Sequence, residues 1–447
     1  METTLPISAH APLPRKERIQ LLDAIRGIAV LGILLMNITG QGQAGQLYDT
    51  MDVRLPLTGA NFYAWAGEMF FFEGTMRGLF SILFGAGTLL LINRLQKKNQ
   101  GLVPADIYYR RLLWLLVFGL INAFIFLWPG DILYSYAVAG LLLFPFRNLS
   151  ATKLLVAAFI VLVIASYFDN RNMYDKKEVI VKGREAEKLS AQNKPLTDEQ
   201  KEFLGKWSDF RKNGSKDSLP ARLAEEEKKI VGKNYAEVFK VYKNYNVRNQ
   251  SFGFYAFIIW DVLLFFFIGM AVYKSGFLTG DKSTGLYVLV AVVGIGVGLL
   301  ISYYDLSLNY RLQFDRVAIR EQQVFDFYAV RRVFLSLGYL SLLSLLYKTI
   351  AGKKVLGAFA PLGQMAFTNY LLQSIITSIY FYGFHKFATL QRYELYYVVA
   401  AIWVFEFIFS TIWLRYFSFG PFEWIWRSLT YWKRFGIRRR DTSVPTI

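Results

Sequence analysis

Long apolar runs recur from one end of the chain to the other, each near the length that crosses a bilayer, and one charged stretch divides them. About 20 helical residues cover the hydrocarbon core. Counting on that basis predicts ten spans, at 20–39, 76–94, 111–128, 131–147, 153–168, 253–274, 284–304, 326–348, 358–382 and 394–415. The segment 61–75, NFYAWAGEMFFFEGT, is aromatic but holds Glu68, Glu73 and two glycines. It reads as an interfacial or re-entrant helix leading into the second span, and a count of eleven is the alternative. The expected fold is an all-α polytopic membrane protein with about ten transmembrane helices and a helical extracytoplasmic insertion.

Composition supports this pattern: 54% of the residues are apolar and 17% aromatic. The formal charge of +18 would suggest nucleic acid in a soluble protein. Here Lys and Arg gather beside apolar runs, which is an orientation signal, so no nucleic-acid partner is expected. Arg94, Lys97, Lys98, Arg110, Arg111, Arg147, Lys274 and the tail Arg427–Arg440 fall on the side of the amino terminus. Both termini are therefore expected in the cytoplasm, with the chain in a bacterial inner membrane. The basic leader with Arg15, Lys16 and Arg18 precedes an apolar run too long for a signal-peptide core, so the first span reads as uncleaved.

Residues 169–250 are dense in charge and lie between the fifth and sixth spans, hence outside. Thr197 with Gln200 forms a capping-box pattern, and Ser218 with Pro220 can open a second helix. A small helical cap is expected, with disorder as the competing reading. The organisation is then 1–168 and 251–416 as membrane halves, 169–250 as the cap, and 417–447 as an interfacial basic tail.

Cysteine is absent, which excludes disulfides and a thiol nucleophile. His10 and His385 are too few and too distant for a histidine-based metal site, and no metal is expected. The first span carries Asp23 and Arg26 one turn apart, and Asn37 near its far end. Charges within a span are costly and face a bundle interior or a wet cavity. A structural ion pair and an anion site with Arg26 as donor are both open. Glu73 and Arg77 are spaced to pair along a helix, with Gly85 and Gly87 allowing close helix approach. Asp131 follows Pro129–Gly130 as a natural helix cap, with general base as a second role. Asn369, Gln373 and Thr377 form a polar stripe: Thr377 reads as interhelical glue, the first two as path-lining. Asp261 faces the same choice. Arg311, Arg316, Arg320, Arg331 and Arg332 surround the outer start of the eighth span, for lipid headgroups or an anionic substrate. Gly294, Gly296 and Gly298 read as packing glycines, and the aromatic, basic tail as a surface anchor.

RIQLLDAIRGIAVLGILLMNI, FFEGTMRGLFSILFGAG, WPGDIL, FIGMAVYKSGFL, TNYLLQS and FGPFEWIWRSLTYW together resemble the YeiB family of bacterial inner-membrane proteins through nearly the whole chain except the long loop. The LDxxRG opening is similar to that of the wider transmembrane acyltransferase superfamily. That resemblance implies transfer of an acyl group from cytoplasmic acyl-CoA to an acceptor on the far side. It implies a donor-side role for Asp23 and Arg26, with Arg110 and Arg111 added here for the phosphates. Related proteins carry a membrane histidine; at the corresponding place this chain has Asn122, which cannot act as a base. Asp131, Glu73 or His385 then stand as candidates for that role. Asn37, Arg77, Asn122, Asp261, Asn369 and Gln373 are the candidate substrate path. Membrane lipids and a small-molecule or glycan acceptor are the expected partners, with a homodimer left open. The alternative function is a transporter or flippase of a small anionic or lipid-linked molecule.

Overall fold

A computed structural model describes residues 20–439. His10, Arg15, Lys16, Arg18 and Arg440 lie outside them. The described chain is all-helical, and its single β-bridge joins Phe417 to Arg438. In order the helices are α1 (Gln20–Gly42), α2 (Ala60–Gly67), α3 (Thr75–Lys98), α4 (Val103–Phe124), α5 (Leu133–Leu141) and α6 (Ala151–Ala191). Then come α7 (Asp198–Gly214), α8 (Leu219–Lys228), α9 (Tyr235–Arg248), α10 (Ile259–Lys274), α11 (Thr284–Arg311) and α12 (Arg316–Gln322). The series ends with α13 (Tyr328–Lys348), α14 (Ile350–Gly357), α15 (Ala360–Gln364), α16 (Ala366–Ser378), α17 (Arg392–Tyr416) and α18 (Pro421–Tyr431).

Among the described residues, eight helical runs are long and apolar enough to cross a membrane. This is a polytopic all-α membrane protein. Two of the ten expected spans are interrupted. The run at 131–147 forms only α5, nine residues long, and then tightens into a 3₁₀ turn, Phe144–Asn148, that contains Pro145. The run at 358–382 is α15, a break at Met365, α16 and a π-helical turn. Hydropathy counts apolar residues but not the hydrogen bonds that keep a helix continuous. The segment 61–75 is helical and joins α3 through a bend at Gly74, whose φ is +67°.

α1 and α10 are central, which is why they are apolar on all faces. α10 lies against α3 and α6, and α1 against α3, α15, α16 and α17. Three crossings are built on glycine pairs, as is usual where helices associate in lipid. A side chain at Gly27 or Gly363 would strike the backbone across the α1–α15 crossing. Gly85 with Gly269 does the same between α3 and α10, and Gly294 with Gly338 between α11 and α13. Gly298 packs on Leu335, whereas Gly296 has nothing within 4 Å and is not a packing glycine.

The charged stretch is folded as helices. α6 continues unbroken from its apolar part to Ala191, and α9 runs through a π-helical turn into α10. The hydrogen-bond ladder therefore ignores the change of composition near 168 and 250. Thr197 and Gln200 form the reciprocal capping box at the start of α7, and Asn234 with Glu237 repeats it at α9. α8 begins at Leu219 with Pro220 in its first turn, without a side-chain cap from Ser218. The cap sits at the end of the bundle where α1 finishes.

Candidate functional site

At the other end, where α1 begins, a cavity of about 800 Å³ opens between α1, α3, α4, α5, α18 and the segment 363–370. Its mouth is basic. α3 ends with Arg94, Lys97 and Lys98, cations that suit a helix carboxyl terminus, and all three line the opening. Arg26 lines it from α1, and its Nη1 donates to Asp23 Oδ1 at 3.0 Å. Arg111 lines it from α4, its guanidinium 3.6 Å from the centre of the Trp426 ring. Arg110 is not on the wall; it pairs with Asp106 one turn away.

The tail is part of this wall, not a surface anchor alone. α18 contributes Glu423, Trp426, Arg427 and Tyr431. The Glu423 carboxylate accepts the backbone N–H of Phe367 at 2.8 Å and of Thr368 at 2.9 Å, in the first turn of α16. Those N–H groups have no partner within their own helix. Trp426 Nε1 donates to the Arg111 carbonyl at 2.8 Å. Residues 416–418 and 437–439 pair in addition, Ser418 N–H to Ile437 O at 2.9 Å.

Inside, the cavity is lined by Leu83, Phe84, Leu91, Leu112 and Leu115 and reaches Tyr136 and Tyr370. The Tyr136 hydroxyl bonds to the Ser81 hydroxyl at 2.5 Å. The Tyr370 hydroxyl accepts the Ile132 N–H at 3.1 Å and donates to Asp131 Oδ1 at 3.4 Å. Asp131 thus stands directly behind the cavity end. Asn122 Nδ2 donates to its Oδ1 at 2.7 Å, and the Tyr134 N–H to its Oδ2 at 2.8 Å, the capping bond of α5. Cap helix α9 secures the same turn: Tyr235 donates to Ile125 O at 2.7 Å, and Asn249, just past α9, to Pro129 O at 3.1 Å.

Glu73, Arg77 and Asp261 belong to a separate ion network toward the cap. Glu73 and Arg77 do not pair, because Gly74 turns the backbone between them out of the helix. Glu73 pairs with Arg331, and Asp261 with Arg332. Arg77 lies 3.7 Å from Asp261 and donates to the Tyr328 hydroxyl at 3.0 Å. Arg332 Nε also donates to the Gly74 carbonyl at 2.9 Å, holding the bend. Arg331 and Arg332 are therefore buried interior cations, not lipid-facing ones. Arg311, Arg316 and Arg320 bond to Gln322, Asp49 and Asp326.

Asn369 and Gln373 are off the cavity wall. Asn369 donates to Leu362 O and the Ser410 hydroxyl, Gln373 to Val30 O and Glu406 Oε2. Both stitch α16 to neighbouring elements, as Thr377 does within its own helix by donating to Gln373 O. Asn37 is half-buried on α1, and His385 is exposed in a loop with φ +54°. The structure thus brings together Asp23, Arg26 and Arg111 at the mouth, and Asn122 with Asp131 behind the floor. It does not bring Glu73 or His385 to them. Sequence reasoning missed Tyr136 and Tyr370, ordinary aromatics among many. It also missed Glu406, although one carboxylate within an otherwise uncharged span was a visible signal.

Residues 272–433 match a family model described as a protein of unknown function, DUF418. The chain is 28% identical over 443 residues to the uncharacterised protein YxaH of Bacillus subtilis (strain 168), covering 95% of this chain and 97% of that one. It is 29% identical over 423 residues to the uncharacterised protein YeiB of Escherichia coli (strain K12), covering 93% and 96%. An uncharacterised 39.9 kDa protein from the amylase 3' region of Bacillus acidopullulyticus is 26% identical over 429 residues, covering 95% and 97%. No solved structure matches. With likeness along nearly the full length and the DUF418 match over its carboxyl-terminal part, the chain belongs to the YeiB family of membrane proteins.

Proposed function

We propose that the protein is an acyltransferase-like membrane protein that takes an acyl-CoA at the face where α1 begins. We assign that face to the cytoplasm of a bacterial inner membrane, so the cap is extracytoplasmic. The observation that carries this reading is the cavity itself: a basic mouth leads into an apolar interior that ends at Tyr370, beside Asp131. Phosphates suit the Arg and Lys side chains of the mouth, and an acyl chain suits the interior. Transfer would break the acyl–sulfur bond and form an ester or amide with an acceptor, whose proton leaves with the thiol. Asp131 is the carboxylate placed for that proton.

A second reading is favoured by how fully Asp131 is engaged. Asn122 and Tyr370 bond to one oxygen and Tyr134 to the other, Glu73 is ion-paired, and His385 is exposed. A transporter or flippase for an anionic amphiphile needs the same cavity and no base.

Binding and turnover separate the two. Acyl-CoA should raise the melting temperature of the purified protein, as any ligand selective for the folded state does. Radiolabelled acyl-CoA should then lose its acyl group to an extracytoplasmic glycan or lipid acceptor, and Asp131→Asn should stop this without weakening binding. Binding with no consumption supports transport. Absence of binding by acyl-CoA and by simpler phosphorylated amphiphiles overturns both.

A further inference from the structure

Gly87 stands on α3 seven residues from Arg94 at the mouth and seven from Phe80 near the floor. At 1.5 Å per residue it sits about 10 Å inside. The sequence suggested that Gly87, like Gly85, allows close helix approach. The structure separates them. A side chain at Gly85 would strike the backbone of Phe266, whereas one at Gly87 would meet nothing within 4 Å, and Gly87 lines the cavity. Glycine inside a helix costs stability relative to alanine, so its place here is not explained by packing. Its effect is to leave the middle of the cavity open, between the cations and the tyrosine floor.

We propose that Gly87 is the specificity-determining residue for the length of the hydrocarbon chain that the cavity accepts. This rests on reading the cavity as a site for an acyl chain beneath an anionic head. The space opposite Gly87 is bounded by apolar side chains, among them Leu91, Leu112 and Leu115, which offer a methylene chain contact and a polar group nothing. A short acyl group held by its head at Arg26, Arg94 and Arg111 ends before Gly87. A long one must pass it to reach Tyr136. A larger residue at 87 would close the passage there without disturbing the mouth or the helix contacts.

The test compares butyryl-, octanoyl- and palmitoyl-CoA binding to the full-length wild type, Gly87→Leu and Gly87→Phe in nanodiscs, by equilibrium binding with labelled ligand. In the wild type, affinity should rise about three- to fourfold per added methylene while the chain is being buried. In both variants butyryl-CoA should bind as in the wild type, and palmitoyl-CoA should weaken at least tenfold. Unchanged butyryl binding also shows that the variants are folded; Gly85→Leu, which strikes α10, should lose it. Equal weakening for all chain lengths, or unchanged palmitoyl binding, overturns the proposal. If the wild type binds acyl-CoA with no dependence on chain length, the donor reading stands and the role of Gly87 fails. If it binds no acyl-CoA at all, the donor reading itself has failed and this proposal falls with it.

Discussion

The Glu423 carboxylate holds Thr368 twice, accepting its backbone N–H at 2.9 Å and its hydroxyl at 2.5 Å. A residue beyond the last span thus caps a helix that begins 55 residues earlier. Glu423→Ala should cost about 1–3 kcal/mol, the penalty of leaving buried donors unsatisfied. It should also free α18, so that limited proteolysis cuts at 417–421 in the variant and not in the wild type. A loss of stability with no new cleavage would show that α18 is held by its tryptophans instead.

Breaking the buried Glu73–Arg331 pair from one side leaves a charge without its partner. Glu73→Ala should cost about 3–5 kcal/mol. The double variant Glu73→Ala with Arg331→Leu should be more stable than Glu73→Ala alone. Thermal unfolding of the two in one detergent decides this, and a double variant no better than the single would contradict it.

Arg26→Ala should weaken acyl-CoA binding about tenfold or more, the worth of a charge-assisted hydrogen bond. Asp23→Asn removes a negative charge from the mouth and should not weaken it. Because mouth charges are partly exposed, the wild-type affinity should fall with added salt, as screening requires. Titrations at low and high salt check both statements.

Glu226 in the cap accepts the Gly45 N–H at 2.8 Å. Burial pushes its carboxyl above the usual carboxylate range. The folded state then binds the proton more tightly than the unfolded one, so the stability linked to this group is present at acidic pH and lost as pH rises through its folded value. The melting temperature of the wild type relative to Glu226→Gln should therefore fall as pH rises through that range. A difference that does not change with pH would contradict it.

Glu406 and Gln373 are each left with one buried oxygen that lacks a partner, while Gln373 Nε2 donates to Glu406 Oε2 at 3.1 Å. A proton between the two free oxygens would close the pair into a ring of two hydrogen bonds. Glu406→Gln, which keeps the size and adds no charge, should leave thermal stability within about 1 kcal/mol, whereas Glu406→Leu strands the Gln373 amide and should cost about 1–3 kcal/mol.

The helical, membrane-spanning character was legible because period and length report burial in lipid directly. Capping was legible where it is local, as at Thr197 with Gln200. What failed was everything that depends on a neighbour distant in the chain. Glu73 and Arg77 have the spacing of a pair, but a single positive φ at Gly74 sends each to a different helix. Arg331 and Arg332 look like surface cations until α3 and α10 supply Glu73 and Asp261. In the candidate site, Asp23 and Arg26 stood out as charges within a span. Tyr370 and Gly87 did not, since their meaning is the space beside them. The FGPFEWIW block was recognisable as a pattern, but its reason, a carboxylate placed on another helix's first turn, appears only in three dimensions.

α6 has 41 residues, so it is about 60 Å long, roughly twice the hydrocarbon thickness. Its membrane part packs on α10 and its far part on α7 and α12. One rigid rod therefore belongs to both the bundle and the cap, with no joint between. Tilting the rod in the bilayer must swing the cap, and a load placed on the cap must lever the bundle. A bilayer of different thickness would for that reason be felt at the turn that carries Asp131, more than one helix away from the lipid.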